Sequence, residues 1–129
     1  PREHTMKVSE LLEQEGASEF LIESIQSHCF GNSECGAWQD KERHTKLQHC
    51  LAAAETLTGL IVATALVQPD KSVNNVKLSS LKKKFKSKGF AANCDRELIQ
   101  ECEQAGIELD KFLGLGLKAL QERSEELGI

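Results

Sequence analysis

An all-α fold is what this sequence predicts, and three observations carry it. Apolar residues recur at helical three-to-four spacing nearly everywhere, strand-like alternation is scarce, and only two prolines interrupt the 129 residues. The length suits one domain, expected over residues 1–129, with a real hydrophobic core. From Glu3 to Glu15 a helical pattern carries Met6, Glu10–Leu11 and Gln14, and stops at Gly16. Ser18 is placed to cap a second helix with Phe20, Leu21, Ile25 and Cys29 on its apolar side. Gly31, Asn32, Ser33 and Gly36 make Phe30 to Lys41 a loop.

The longest pattern runs from about Thr45 to Val67. Leu47, Leu51, Ala54, Leu57, Ile61 and Ala65 mark one face, and from Leu57 onward the segment is apolar nearly all round, which predicts a central helix ended by Pro69. A short basic helix follows over Val76 to Lys86, capped near Ser79. Another covers Asp95 to Ala105, with Leu98, Ile99 and Cys102 inward and Gly106 closing it. The last runs from about Leu109 to Leu127 on Leu109, Phe112, Leu113, Leu117 and Leu120. Gly114 and Gly116 fall inside that pattern and not after a strand, so they read as close-packing positions and not as a phosphate cradle.

The bulk properties narrow the function classes. A net charge of −4 argues against a general nucleic-acid binder. It conceals an asymmetry: Lys71, Lys77, Lys82, Lys83, Lys84, Lys86 and Lys88 put +7 on a stretch without acids, leaving −11 elsewhere. A solvated helix face is the default reading of such a run, and attraction of phosphate is the functional one. The five cysteines are odd in number, in a chain that is neither small nor loop-rich, and read mostly as reduced thiols of a cytoplasmic protein. Leu51 to Val67 is 17 residues long and holds Glu55, so it reads as a buried core helix and no membrane association is expected.

All four histidines, His4, His28, His44 and His49, lie in the first 49 residues, so histidine chemistry is confined there. His4 and His28 fall on two helices and Glu55 on a third, inside an apolar segment where a carboxylate is costly unless paired or metal-bound. Two imidazoles and a carboxylate from three helices can hold a divalent ion. The plain alternative is a Glu55 paired at the bundle edge and a surface His4. Cys29, Cys35, His44 and His49 do not fit a structural zinc site, because five residues separate the cysteines where two to four are usual.

Two blocks then resemble a known pattern. AAETLTGLIVATALVQPD from Ala53 to Asp70, and VKLSSLKKKFKSKGFA from Val76 to Ala91 followed by DRELI from Asp95, are similar to the C-terminal two-thirds of bacterial HD-domain superfamily metal-dependent phosphohydrolases. EHTMKVSELL from Glu3 and IQSH from Ile25 resemble the middle histidine segments of the same family. The resemblance implies an HD-like helical bundle and a divalent metal cofactor (Mn, Ni, Co, Fe, Mg or Zn). It places His4 and His28 on the two later histidines and Glu55 where a final Asp is usual, as metal ligand or supporting catalytic carboxylate.

The family's first His and its His-Asp doublet have no counterpart, and no His-Asp dipeptide occurs in the sequence. The chain opens at Pro1 within a helix-like pattern and is therefore expected to be a piece of something longer, truncated within its bundle. Uncovered apolar faces of the Leu51–Val67 helix would then favour self-association. The function implied is hydrolysis of a phosphate ester, such as a nucleotide, with Lys82, Lys83 and Lys84 drawing in the phosphorylated small molecule by charge. The missing doublet makes a non-catalytic helical interaction module with the same fold the alternative.

Overall fold

A computed structural model describes residues 4–31 and 41–129, and among them all regular structure is helical, with no strand. The α-helices are α1 (His4–Gln14), α2 (Glu19–Gln26), α3 (Lys46–Leu66), α4 (Leu78–Lys86), α5 (Arg96–Gln100), α6 (Leu109–Glu122) and α7 (Ser124–Leu127). Short 3-10 turns follow α2 at Ser27–Cys29, α3 at Val73–Asn75 and α5 at Glu101–Glu103. The chain divides into two compact units, Pro1–Ala52 and Ala53–Ile129, and the division falls within α3. Most of the expected loop from Phe30 to Lys41 lies outside the described residues.

Helix boundaries follow local chemistry. Gly16 takes φ +77 after α1, and the Ser18 hydroxyl accepts the Leu21 N–H at 3.3 Å, as a cap should. The start of α3 is a reciprocal capping box that sequence reasoning missed. The Gln48 N–H donates to Thr45 Oγ1 at 3.2 Å, while Gln48 Oε1 accepts the Thr45 and His44 N–H groups at 3.1 and 2.9 Å. Three boundaries differ from expectation. Helix α4 starts at Leu78 behind Lys77, with no side-chain cap, so Ser79 lies inside its first turn. The Asp95 carboxylate caps α5 through the Glu97 N–H at 2.9 Å, but that helix tightens to a 3-10 turn at Glu101. The last helix breaks at Arg123, whose φ of −114 leaves the helical region, so two helices replace one.

The first unit is unusual inside. Its buried residues include Thr5, Ser9, Ser24, Ser27, Arg43 and Gln48, against the apolar Ile22, Cys29 and Ala52. These polar groups are satisfied: Ser9 Oγ donates to the Thr5 carbonyl at 2.6 Å, Gln26 Nε2 to Ser9 Oγ at 2.7 Å, and Ser27 Oγ to the Ser24 carbonyl at 2.7 Å. Arg43 Nη1 donates to the Ser27 carbonyl at 2.7 Å, with its guanidinium 5.1 Å above the Phe30 ring. Conversely Met6, Leu11, Phe20 and Leu21 are exposed, Phe20 by 55%. The expected inward face of α2 is thus corrected: Ile22 and Ser24 are buried there, and the apolar pair Phe20–Leu21 is not. Hydrophobic spacing misplaced the face because short serine side chains bond back to their own helix and pack closely.

The second unit has an ordinary hydrocarbon core. Leu57, Leu60, Ile61, Ala65, Leu81, Ile99, Leu113 and Leu117 are buried, each large side chain contributing about 1.5–3 kcal/mol. Helix α3 is long and apolar enough to cross a membrane by length and composition, and of its own residues Leu57, Leu60, Ile61 and Ala65 are buried. Gly116 explains itself: a Cβ there would meet Leu57 Cδ2 at 2.7 Å and Ile61 Cδ1 at 3.3 Å, so the glycine permits close helix approach. After α3, Lys71 takes φ +56 in a turn held by Asp70, whose carboxylate accepts from the Asn75 amide and from the Ser72 N–H at 3.3 Å. The Asn75 bond first, and the Ser72 bond second, hold the Asp70 carboxyl below the usual range. Gln121 Nε2 ties the 3-10 turn to α6 through the Val73 and Val76 carbonyls, at 3.1 and 3.2 Å.

Candidate functional site

His28 sits in the 3-10 turn after α2, half-buried. Its Nδ1 lies 2.5 Å from the Ile25 carbonyl oxygen. A carbonyl only accepts, so Nδ1 carries the proton, and in the neutral ring the lone pair is on Nε2. That is the tautomer a metal-ligating histidine adopts when its other nitrogen bonds a backbone carbonyl. Nε2 lies 3.8 Å from Cys29 Sγ. Cys29 is itself disulfide-bonded, while Cys50, Cys94 and Cys102 are free thiols. For Cys29 this corrects the expectation of a reduced thiol; cross-linking depends on how closely two sulfurs approach, which spacing along the chain does not reveal.

His4 begins α1, and its side chain lies outside the described residues, as does Cys35. Glu55 is exposed on α3, with its Oε2 accepting the Thr56 hydroxyl at 3.1 Å. The expectation that Glu55 needed a metal or a partner rested on burial, and the exposed face that it shares with Thr58 and Gly59 removes that requirement. Among the described residues no group of three or more His, Cys, Asp or Glu side chains could hold a metal ion. His28 therefore fits a ligand's role by its tautomer, and the described residues assemble no complete donor set around it. His44 is exposed with Nδ1 2.9 Å from the Glu42 carbonyl, and His49 is half-buried in the first turn of α3.

The three adjacent lysines expected to draw in phosphate point in different directions. Successive helical residues point about 100° apart, so Lys82, Lys83 and Lys84 take three different surroundings. Lys82 pairs with Asp110 at 2.7 Å, Lys83 is exposed, and the Lys84 ammonium lies 4.3 Å above the Phe90 ring. Lys83, Lys84 and Lys86 occupy the last turn of α4, where cations offset the helix dipole.

Two features escaped sequence reasoning. Arg96 gathers six backbone carbonyls, from Lys84, Phe85, Ser87, Phe90, Ala91 and Cys94, with its Nε 3.1 Å from Phe85 and Nη1 3.0 Å from Ala91. An open cavity of about 320 Å³ adjoins it, bounded by Lys88, Cys94, Asp95 and Glu97. A larger cleft of about 480 Å³ opens between α4 and α6. The only sequence signal for it was the apolar spacing of Phe85, Leu109 and Leu113 beside the lysines. No family model, curated protein or solved structure matches the chain.

Proposed function

We propose that this chain is a helical domain of the metal-dependent phosphohydrolase type, acting on a phosphate ester, with His28 as a metal ligand through Nε2. The observation that supports it is the Nδ1 bond of His28 to the Ile25 carbonyl, which fixes the ring and its lone pair. His4, in the same unit, is its proposed companion. A bound divalent ion in such domains supplies a hydroxide nucleophile near neutral pH. What the chain itself contributes is a preset imidazole, and no burial drives Glu55 to a metal. The protein is proposed to be cytoplasmic.

The test is titration of the chain with Mn²⁺, Ni²⁺ and Co²⁺ by calorimetry, followed by a generic phosphatase assay. One ion is expected to bind per chain, and His28→Ala is expected to weaken binding by about 10–100-fold or more, the range that loss of ligand-shell groups costs. Equal binding by the variant, or none by either protein, overturns the assignment. The second reading, a non-catalytic interaction module, is favoured by the exposed Met6, Leu11, Phe20 and Leu21 of the first unit. Metal binding lost with His28 but no turnover would select a binding domain over an enzyme.

A further inference from the structure

The cleft between α4 and α6 lies wholly within the second unit and away from the histidines in sequence. Its floor is apolar: Phe85 and Leu113 are buried and Leu109 half-buried. Its rim is polar, formed by Lys82, Lys86, Gln100 and Asp110. A concave apolar floor with a few convergent polar groups is the ordinary form of a small-molecule site, and about 480 Å³ lies within the usual 300–1,000 Å³.

The rim charges choose among ligands. Lys82 and Asp110 neutralise one another at 2.7 Å. Lys86 is exposed and has no ion pair among the described residues, so the rim carries one surplus positive charge. A ligand with one negative charge balances it. A second negative charge would face the fixed Asp110 carboxylate, and like charges at that range repel. The remaining lysines of α4 add a positive field that favours approach of an anion. We infer that this cleft binds a small organic monoanion with an apolar body, a carboxylate on an aliphatic chain or ring. Lys86 meets the carboxylate, Gln100 offers its amide, and the hydrocarbon lies on Phe85, Leu109 and Leu113.

The experiment is an amide chemical-shift titration of the whole chain with octanoate at low salt, with octan-1-ol and octyl phosphate as comparators. Saturating shifts are expected at Phe85, Lys86, Leu109 and Leu113. The neutral alcohol and the dianionic phosphate should each bind about tenfold more weakly, the cost of losing one charge-assisted contact or of meeting one repulsion. Lys86→Met should weaken octanoate by a similar factor. Lys118→Met, a surface lysine of α6 paired with Glu122 at 3.6 Å, should not. Asp110→Asn removes the repelling carboxylate and should raise octyl phosphate affinity toward that of octanoate, a gain that misfolding cannot mimic. Absence of saturation in the millimolar range overturns the proposal. So do shifts centred on α1 and α2, equal binding of the alcohol, or Asp110→Asn leaving octyl phosphate unchanged.

Discussion

Arg96→Met is expected to lower the unfolding free energy by about 3 kcal/mol, more than any surface substitution of this chain, since hydrogen bonds to charged groups contribute about 1.5–3 kcal/mol each and several are lost together. Arginine has five N–H donors, and here they meet six carbonyls, so at least one donor is shared. Two of those carbonyls, Lys84 and Phe85, belong to the last turn of α4, and that of Lys84 also accepts the Ser87 N–H at 3.1 Å. The others line the turn from Ser87 to Cys94. One side chain thus closes a helix and shapes a loop. Methionine keeps the stem and removes every donor. Water recovers some of the carbonyls at this half-exposed site, which keeps the loss below the sum of the bonds. Lysine should restore little, because a single ammonium cannot reach a ring of acceptors spaced for a planar fork. Urea unfolding should show a lower midpoint at an unchanged slope, with faster amide exchange from Ser87 to Cys94. A change under about 0.5 kcal/mol, the range of an ordinary surface substitution, would reduce Arg96 to a surface residue.

The second large effect concerns volume. Gly116→Val is expected to destabilise by about 2 kcal/mol, within the 1–3 kcal/mol that overpacking costs. The added Cβ would stand 2.7 Å from Leu57 Cδ2, in space that Leu57 already holds, and Leu57 is buried on every side. Leu57→Ala alone should cost about 2–5 kcal/mol through the cavity left behind. Combined, the two should cost less than their sum by about 1 kcal/mol or more, because each change makes room for the other. Additivity within about 0.5 kcal/mol, the scatter between independent sites, would falsify the claim that this glycine exists to admit Leu57.

Legibility in the sequence tracked the physics at work in each place. In the second unit apolar burial decides the packing, so periodicity placed Leu57, Ile61, Phe112, Leu113 and Leu117 inside, as found. It also assigned Gly116 its role. In the first unit hydrogen bonds decide, and periodicity placed Phe20 and Leu21 inside when Ser24 and Ser27 are. Glu55 misled for a related reason: a charge amid apolar letters reads as buried, yet one exposed stripe suffices to seat it. Lys82 to Lys84 are adjacent in the string and therefore divergent on the helix. The Arg96 nest was illegible, since backbone carbonyls leave no letter in a sequence.

The polar interior of the first unit has a consequence for temperature. Apolar burial draws its strength from hydration and weakens on cooling, whereas a guanidinium held by a carbonyl, or a serine bonded to its own helix, has no such origin. Arg43, Ser9, Ser27 and Gln48 therefore give their unit a cohesion that fades little in the cold. The unit built on Leu57, Leu60 and Ile61 is the one that loosens there. Two thermal characters meet within the length of α3.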